Sequence, residues 1–193
     1  MTKSIAIIGG GVVGATAAFY LSEAGYSVTV FDEGTGQATS AAAGIICPWL
    51  SKRRNKKWYR LASGGAAFYH TLFDDLEKRM ADTTFYTRSG AILLKKTLKQ
   101  TKELYEIGLE RRKLAPEIGT LTILNEEQLL DLLPSLQNQK NGLHVEGGAR
   151  VDGRKLVDSL LTTVQKNGGQ IIREKVNLEK KKTSMLYVKI IRI

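Results

Sequence analysis

The chain of 193 residues carries 29 lysine and arginine residues against 19 acidic ones, which gives it a formal net charge of +10. Its 42% hydrophobic and 25% charged residues are ordinary for a globular protein, and no apolar run approaches the roughly 20 residues of a membrane-spanning helix. Because Cys47 is the single cysteine, an internal disulfide is excluded. One cysteine and two histidines do not supply the four ligands of a structural zinc site. We therefore expect a cytoplasmic chain with no transmembrane segment and no metal, folded as one moderate domain or two small ones.

Residues 5–32 predict a strand, a helix and a second strand. Residues 5–8 are all apolar and predict a short buried strand, and residues 28–31 predict a second strand that ends at Asp32. Between them, the sequence G-x-G-x-x-G is formed by Gly9, Gly11 and Gly14. The helical pattern covers residues 12–24 and turns one face to the sheet, formed by Ala15, Ala18, Phe19 and Leu21.

This order of elements is typical of a site for the ADP half of a dinucleotide. Gly9 permits the tight turn, Gly11 lets the backbone approach a pyrophosphate, and Gly14 allows the helix to pack closely. The first helical turn then presents free N–H groups and a partial positive charge to the phosphates. A carboxylate at Asp32 can accept both ribose hydroxyls and repels a 2′-phosphate, which favours FAD or NAD over NADP. The alternative is a glycine-rich turn in an ordinary α/β domain.

Small residues dominate the segment 34–44 that follows. Such a segment can lie flat against a ligand, and it offers the hydroxyl groups of Thr39 and Ser40 together with the backbone N–H groups of residues 40–46. Because it leaves the sheet where a cofactor is expected, we favour a ligand-binding loop over a flexible surface loop.

Residues 51–60 form a strongly basic stretch that also contains Trp58 and Tyr59. Basic residues interleaved with aromatic ones can bind nucleic acid. A solvated loop and first helical turn explain so short a cluster better, so we expect no nucleic-acid partner. The cations are Lys52, Arg53, Arg54, Lys56, Lys57 and Arg60.

The middle of the chain predicts helices mixed with short strands. Strand character appears at 85–95 and 121–124, and a charged helix at 98–114. Asn125, with Gln128 three residues on, predicts a capping box at the start of a further helix. A long helix is also predicted over 58–80, with the apolar stripe Leu61, Phe68, Tyr69, Leu72, Phe73, Leu76 and Met80.

The third strand of the nucleotide-binding fold is predicted late in the chain. Asp152 can cap a helix over 154–166, and the strand-like residues Ile171 and Ile172 follow it. About 120 residues separate this part from Asp32, so a second region is inserted into the nucleotide fold. An insertion that covers the cofactor favours a flavoenzyme over a simple NAD dehydrogenase.

The predicted domains follow from this insertion. Residues 1–82 form the first part of an FAD-binding domain, residues 83–148 an inserted substrate or cap region, and residues 149–193 the second part of the FAD-binding domain. The last of these ends in an apolar strand predicted over 185–193.

The sequence resembles the D-amino acid oxidase family of FAD-dependent oxidoreductases, which includes glycine oxidase and D-amino acid dehydrogenase. The resemblance covers about residues 1–180. It implies an α/β fold with a Rossmann-like FAD-binding domain and an inserted α+β substrate or cap domain. The motifs that carry it are the glycine fingerprint with Asp32, T-S-A-A-A-G-I-I at 39–46, Gly90 in S-G-A-I-L-L, Leu133-Pro134 and Val151-Asp152.

The resemblance also implies the residues that contact FAD. The pyrophosphate contacts are Gly9, Gly11, Val12, Val13 and Gly14. The adenosine ribose meets Asp32, with Glu33 beside it, and the adenine meets the backbone of Val176. The segment near the flavin or pyrophosphate contributes Ser40, Ala41, Gly44, Ile45 and Ile46.

The implied chemistry is oxidative deamination of a D-amino acid, glycine or a similar small amine, by hydride transfer from the α-carbon to flavin N5. Family members are nearly twice as long, and their C-terminal half carries the arginine that clamps the substrate carboxylate. We therefore expect a truncated form or fragment that retains FAD weakly, dissolves poorly and turns over little. Homo-oligomerisation is open, and so is a nucleotide-binding remnant without catalysis. An active chain would need its clamp among Arg88, Arg150 and Arg154.

Overall fold

The structure is a computed structural model and describes residues 3–53, 55–136, 138–180 and 186–190. Arg54 and both ends of the strand predicted over 185–193 lie outside these residues. The chain divides into two compact units. Unit 1 comprises Met1–Ala43, Asp75–Phe85 and Asp152–Ile193, and unit 2 comprises Gly44–Asp74 and Tyr86–Val151.

Strands and helices are both short along most of the chain. The strands are β1 (Ser4–Ile8), β2 (Ser27–Phe31), β3 (Ile45–Ile46), β4 (Tyr86–Thr87), β5 (Ala91–Lys95), β6 (Leu121–Leu124), β7 (Asn141–Val145), β8 (Ala149–Val151), β9 (Gln170–Ile172), β10 (Val176–Lys180) and β11 (Leu186–Ile190). The α-helices are α1 (Val12–Glu23), α2 (Lys56–Lys78), α3 (Leu98–Arg112), α4 (Glu126–Leu132) and α5 (Gly153–Lys166), with 3-10 turns at Pro48–Leu50 and Pro116–Ile118.

Unit 1 is built on a parallel sheet with the strand order β1-β2-β9. Strand β2 lies in the middle, where Val28 and Val30 are buried. Its register places Thr29 opposite Gln170 of β9. This pairing confirms that the third strand comes from the residues around Ile171, and it confirms the α/β class with a parallel sheet.

The prediction that β1 is buried throughout is wrong. Exposed and half-buried side chains alternate along it, and Ile8 is 48% exposed. Within the described residues β1 pairs with β2 alone, so it is an edge strand with one backbone edge unpaired, and its side chains are covered less than those of the central strand β2.

Helix α1 packs against α5 and against the sheet. It buries Ala15, Ala18 and Phe19 as predicted, but the next buried position is Ser22 rather than Leu21. A buried serine is tolerated here because its hydroxyl donates to Phe19 O at 2.8 Å and accepts from Asn167 Nδ2 at 3.1 Å.

The predicted caps of α5 and α4 are both confirmed. Asp152 Oδ1 accepts the N–H groups of Arg154 and Lys155 at 3.1 Å. In unit 2, Asn125 and Gln128 form the reciprocal capping box at α4. Each cap satisfies backbone donors that the first helical turn leaves without partners.

Unit 2 contains two antiparallel sheets, with the strand orders β3-β8-β4 and β5-β7-β6. Its core surrounds the fully buried side chains of Trp49, Leu104, Ile118, Leu143 and Val145. Helix α3 packs on β6 and β7 over this core.

The apolar stripe predicted for α2 is partly wrong. Leu61 is 79% exposed, and Met80 lies beyond the helix end with a φ of 52° and an exposure of 90%. Leu72 and Leu76 are buried as predicted. Leu61 lies three turns before Leu72 and within about 20° of it around the helix, so the same face is buried at Leu72 and exposed at Leu61.

Candidate functional site

A cleft of about 950 Å³ opens in unit 1 where β1 ends and α1 begins. The glycine turn forms its floor, the small-residue segment after β2 forms one side, and α5 forms another. Its lining residues are Ile7, Ile8, Gly9, Gly10, Gly11, Val12, Val13, Gly14, Ala17, Asp32, Gly34, Thr35, Gly36, Gln37, Ala38, Thr39, Ser40, Arg154, Val157, Asp158 and Arg173.

The glycine turn is held by close backbone contacts. Gly9 has a φ of 99°, which favours glycine, and its N–H donates to Phe31 O at 2.8 Å. A Cβ on Gly14 would overlap the carbonyl oxygen of Gly9 and come within 3.3 Å of the Ile7 side chain. The turn can therefore fold back on α1 only because position 14 has no side chain.

Asp32 supports the turn with both carboxylate oxygens. Oδ2 accepts the N–H of Gly10 at 2.8 Å, and Oδ1 accepts the N–H of Gly34 at 2.8 Å. A Cβ on Gly10 would approach Oδ2 to 2.5 Å, so this glycine, which the fingerprint leaves unspecified, is required by the carboxylate beside it. Each oxygen has a further lone pair for a ribose hydroxyl.

Thr39 brings the small-residue segment against the start of α1. Its Oγ1 accepts the N–H of Val12 at 3.1 Å, and it lies at 3.4 Å from where a Cβ on Gly11 would stand. A Cβ on Gly153, the first residue of α5, would overlap Thr39 O. The segment therefore packs closely against α1 and α5 as one wall of the cleft. The sequence indicated the Thr39 hydroxyl as a possible ligand group, but Thr39 was not among the predicted cofactor contacts.

The cleft brings together some of the predicted cofactor contacts. Those that line it are Gly9, Gly11, Val12, Val13, Gly14, Asp32 and Ser40. Ala41, Glu33 and Val176 do not line it. Glu33 accepts from Thr35 Oγ1 at 2.9 Å and pairs with Lys175 at 3.7 Å, and the N–H of Ala41 donates to Gln37 O at 3.1 Å.

The remaining predicted contacts, Gly44, Ile45 and Ile46, belong to unit 2. Gly44 has a φ of 68° and accepts the N–H of Val151 at 2.8 Å. Ile45 and Ile46 form β3 against β8, and Ile45 is 73% exposed. As cofactor contacts, these three stay predictions.

Four lining residues from the late part of the chain were not among the predicted cofactor contacts, although Arg154 was named as a possible clamp for a substrate carboxylate. Arg154, Val157 and Asp158 come from the first turns of α5, and Arg173 directly follows β9. They reach the cleft because β9 pairs with β2, which brings this part of the chain next to Asp32. The N–H of Asp32 extends that pairing by donating to Ile172 O at 3.0 Å. In the sequence, the predicted cap at Asp152 indicated where α5 begins, and it could have drawn attention to the residues of its first turns.

The donor set fits the ADP half of FAD. The cleft offers N–H groups from the first turn of α1, a glycine turn at its floor, two guanidinium groups and two carboxylates, those of Asp32 and Asp158. Helix N-termini bind phosphate through such N–H groups and through the helix dipole.

Comparison with known proteins places this chain in a family. The family model described as DAO, FAD dependent oxidoreductase, matches residues 4–185. The chain belongs to this family. Its sequence is 44% identical over 177 residues to an uncharacterized oxidoreductase, YurR, of Bacillus subtilis (strain 168), covering 91% of this chain and 48% of that protein. The resemblance stated from the sequence is thereby confirmed.

Two further similar proteins are a solved structure and a curated relative. The crystal structure of iminodiacetate oxidase from Chelativorans sp. BNC1 has a TM-score of 0.89 and 32% identity, with 99% of this chain and 53% of that chain covered. Glycine oxidase of Geobacillus kaustophilus (strain HTA426) is 26% identical over 160 residues, covering 81% of this chain and 42% of that protein. The chain spans about half the length of the curated relatives it matches.

The described residues contain neither a helix suited to a membrane nor a metal-binding cluster. None of their helices has both the length and the apolar content needed to cross a membrane. The same residues contain no group of three or more His, Cys, Asp or Glu side chains that could hold a metal ion.

Proposed function

We propose that this member of the DAO family binds FAD through the cleft of unit 1 and serves the oxidation of a small amine that carries a carboxylate. The observation that carries the proposal is the glycine turn buttressed by Asp32 within a family match over residues 4–185. The substrates proposed are a D-amino acid, glycine or a similar small amine.

In this proposal each residue of the cleft acts on the ADP half of the cofactor. The N–H groups around Gly11 and Val13 bind the pyrophosphate, and Asp32 accepts the ribose hydroxyls. Arg154 and Arg173 line the same cleft, and their charge would offset that of the phosphates. When bound, FAD supplies a two-electron acceptor for the hydride of the substrate α-carbon.

The domain assignment is part of the proposal. Residues 1–82 and 149–193 would bind FAD, and residues 83–148 would form the substrate or cap region. Ser40, Ala41, Gly44, Ile45 and Ile46 are proposed near the flavin or pyrophosphate, with Glu33 by the ribose and Val176 by the adenine.

Support for the substrate class comes from the relatives. Two of them are named iminodiacetate oxidase and glycine oxidase, after small amines that carry carboxylates. The activity of the whole protein stays a proposal, because the chain spans only about half of these relatives.

The test is a titration of the purified chain with FAD, followed by flavin fluorescence and by absorbance. We expect saturable binding that Gly11→Val weakens at least a hundredfold, because a side chain would stand over the proposed phosphate site. The control is Gly64→Val, since Gly64 is exposed on α2 and has open space around it. No binding of FAD, or equal binding by Gly11→Val, refutes the proposal. FAD binding without oxidation of D-amino acids or glycine supports the nucleotide-binding remnant.

A further inference from the structure

Unit 2 contains a cavity of about 500 Å³. Two of its lining residues, Ile45 and Ile46, are proposed above to lie near the flavin or pyrophosphate, and the proposed function gives its other lining residues no role. One wall is a single face of α2, whose members follow helical spacing: Trp58, Ala62, Gly65, Ala66 and Tyr69. The opposite wall consists of Ile45, Ile46, Cys47, Pro48, Leu50, Ser51 and Leu93.

The walls of this cavity are apolar and carry no charge. Its lining includes no Asp, Glu, Lys, Arg or His. Burial raises the pKa of Cys47 to about 11, so its thiol is neutral at physiological pH. A volume of this order suits a small organic molecule with an apolar body, since ligand sites commonly span about 300–1,000 Å³.

A cation stands at the rim of this apolar space. The guanidinium of Arg53 lies 4.8 Å from the ring centre of Trp58, which lines the cavity. The N–H of Arg53 donates to Ser51 Oγ, another lining residue, at 3.3 Å. Lys52 next to it pairs with Glu103 at 3.6 Å, whereas Arg53 has no carboxylate partner within the described part of the chain.

The rim is fixed by a second arginine. Arg111 Nη1 donates to the carbonyl oxygens of Trp49 and of Ser51, the latter at 2.8 Å, and its guanidinium lies 4.6 Å from the ring centre of Tyr59. Arg111 therefore ties the segment before Arg53 to α3 and to the start of α2. The segment that Arg111 holds contains Ser51 of the cavity wall and ends two residues before Arg53.

We propose that this cavity binds the apolar side chain of a small organic acid whose carboxylate pairs with Arg53. A guanidinium can hold a carboxylate through two parallel hydrogen bonds, and stacking on Trp58 orients its plane. In one respect the inference rests on the proposed function: if the acid is the substrate, the preferred substrate is an amino acid with a bulky apolar or aromatic side chain. Glycine would leave the cavity unfilled.

The binding step can be tested on the chain alone, without FAD. The probe is 3-phenylpropionate, the readout is the tryptophan fluorescence that Trp58 contributes, and 3-phenylpropionamide is its uncharged match. Arg53→Gln is expected to weaken the binding of 3-phenylpropionate three- to tenfold, a modest loss because the charge is exposed. The same change is expected to leave the affinity for 3-phenylpropionamide unchanged. Arg60→Gln removes the same charge two residues beyond Trp58, on the opposite side of α2, and is expected to change neither affinity more than twofold.

A matched glycine pair tests the location. Gly65 lines the cavity and a Cβ there meets nothing within 4 Å, so Gly65→Leu places its first side-chain atom without a clash and extends the rest into the cavity space. Gly64 also has open space but does not line the cavity, so Gly64→Leu is the control. Both changes favour the helix, since glycine is a poor helix former. We expect Gly65→Leu to reduce probe affinity at least tenfold and Gly64→Leu to leave it within twofold.

The outcomes separate this inference from the proposed function. Saturable binding with the predicted responses of Arg53→Gln and Gly65→Leu supports it, whether or not the chain binds FAD. Absence of saturable probe binding overturns it, and so does a probe affinity that Gly65→Leu leaves unchanged. Displacement of the probe by FAD also overturns it, because the cavity would then belong to the cofactor.

Discussion

Replacing Asp32 by alanine is expected to destabilise unit 1 even when no cofactor is present. The carboxylate accepts two backbone N–H groups, from Gly10 and Gly34, each at 2.8 Å and each partly buried. Hydrogen bonds to a charged group contribute about 1.5–3 kcal/mol each. Water can reach these donors in the variant, so the lower end applies, and the two bonds together predict a loss of about 3 kcal/mol in the free energy of unfolding.

The assay is urea unfolding of the chain without FAD, followed by circular dichroism and analysed by linear extrapolation. Asp32→Asn keeps one acceptor oxygen and is expected to lose about half as much. Asp74→Ala is the control, because Asp74 is an exposed carboxylate on α2. An Asp32→Ala chain as stable as the Asp74→Ala control would refute the buttressing role. If that chain also bound FAD less tightly, the carboxylate would serve the ribose alone.

Three further changes test other parts of the structure. Gly14→Ala should lower the free energy of unfolding by about 2–4 kcal/mol, because its Cβ overlaps Gly9 O; thermal melting at an unchanged midpoint would contradict this. Cys47 should react with iodoacetamide at pH 8 about a hundredfold more slowly than a free thiol, because burial raises its pKa to about 11; a rate that levels off by pH 9 would argue against this. Arg111→Met should cost about 2–3 kcal/mol through the lost bond to Ser51 O at 2.8 Å, and Arg111→Lys should recover part of it, as urea unfolding of both variants will show.

The features that could be predicted from the sequence depend on neighbours in the chain. Asn125 and Asp152 cap the helices that follow them, and the motif that begins at Gly9 is a turn between adjacent elements. Even the late third strand at Ile171 could be predicted, because a helix, a glycine stop and a strand repeat there in the order found at the start of the chain.

The features that were missed depend on residues far apart in the sequence. The need for glycine at position 10 follows from Asp32, which only the folded turn brings against it. Arg173 reaches the cleft because β9 joins β2, and nothing in the local sequence marks it. Leu61 has the spacing of a buried residue and yet stays 79% exposed, because spacing along a helix does not tell which of its turns another element packs against.

The pairing of β2 with β9 has a consequence during synthesis. The paired residues lie about 140 positions apart, which a ribosome translating roughly 5–20 residues per second covers in about 7 to 28 seconds. All of unit 2 emerges within that interval, since its segments end at Val151. Unit 2 can therefore form its sheets before β9 is synthesised. During that time the edge of β2 that later pairs with β9 is unpaired, and a chaperone that binds extended chain could bind the nascent protein at Ser27–Phe31.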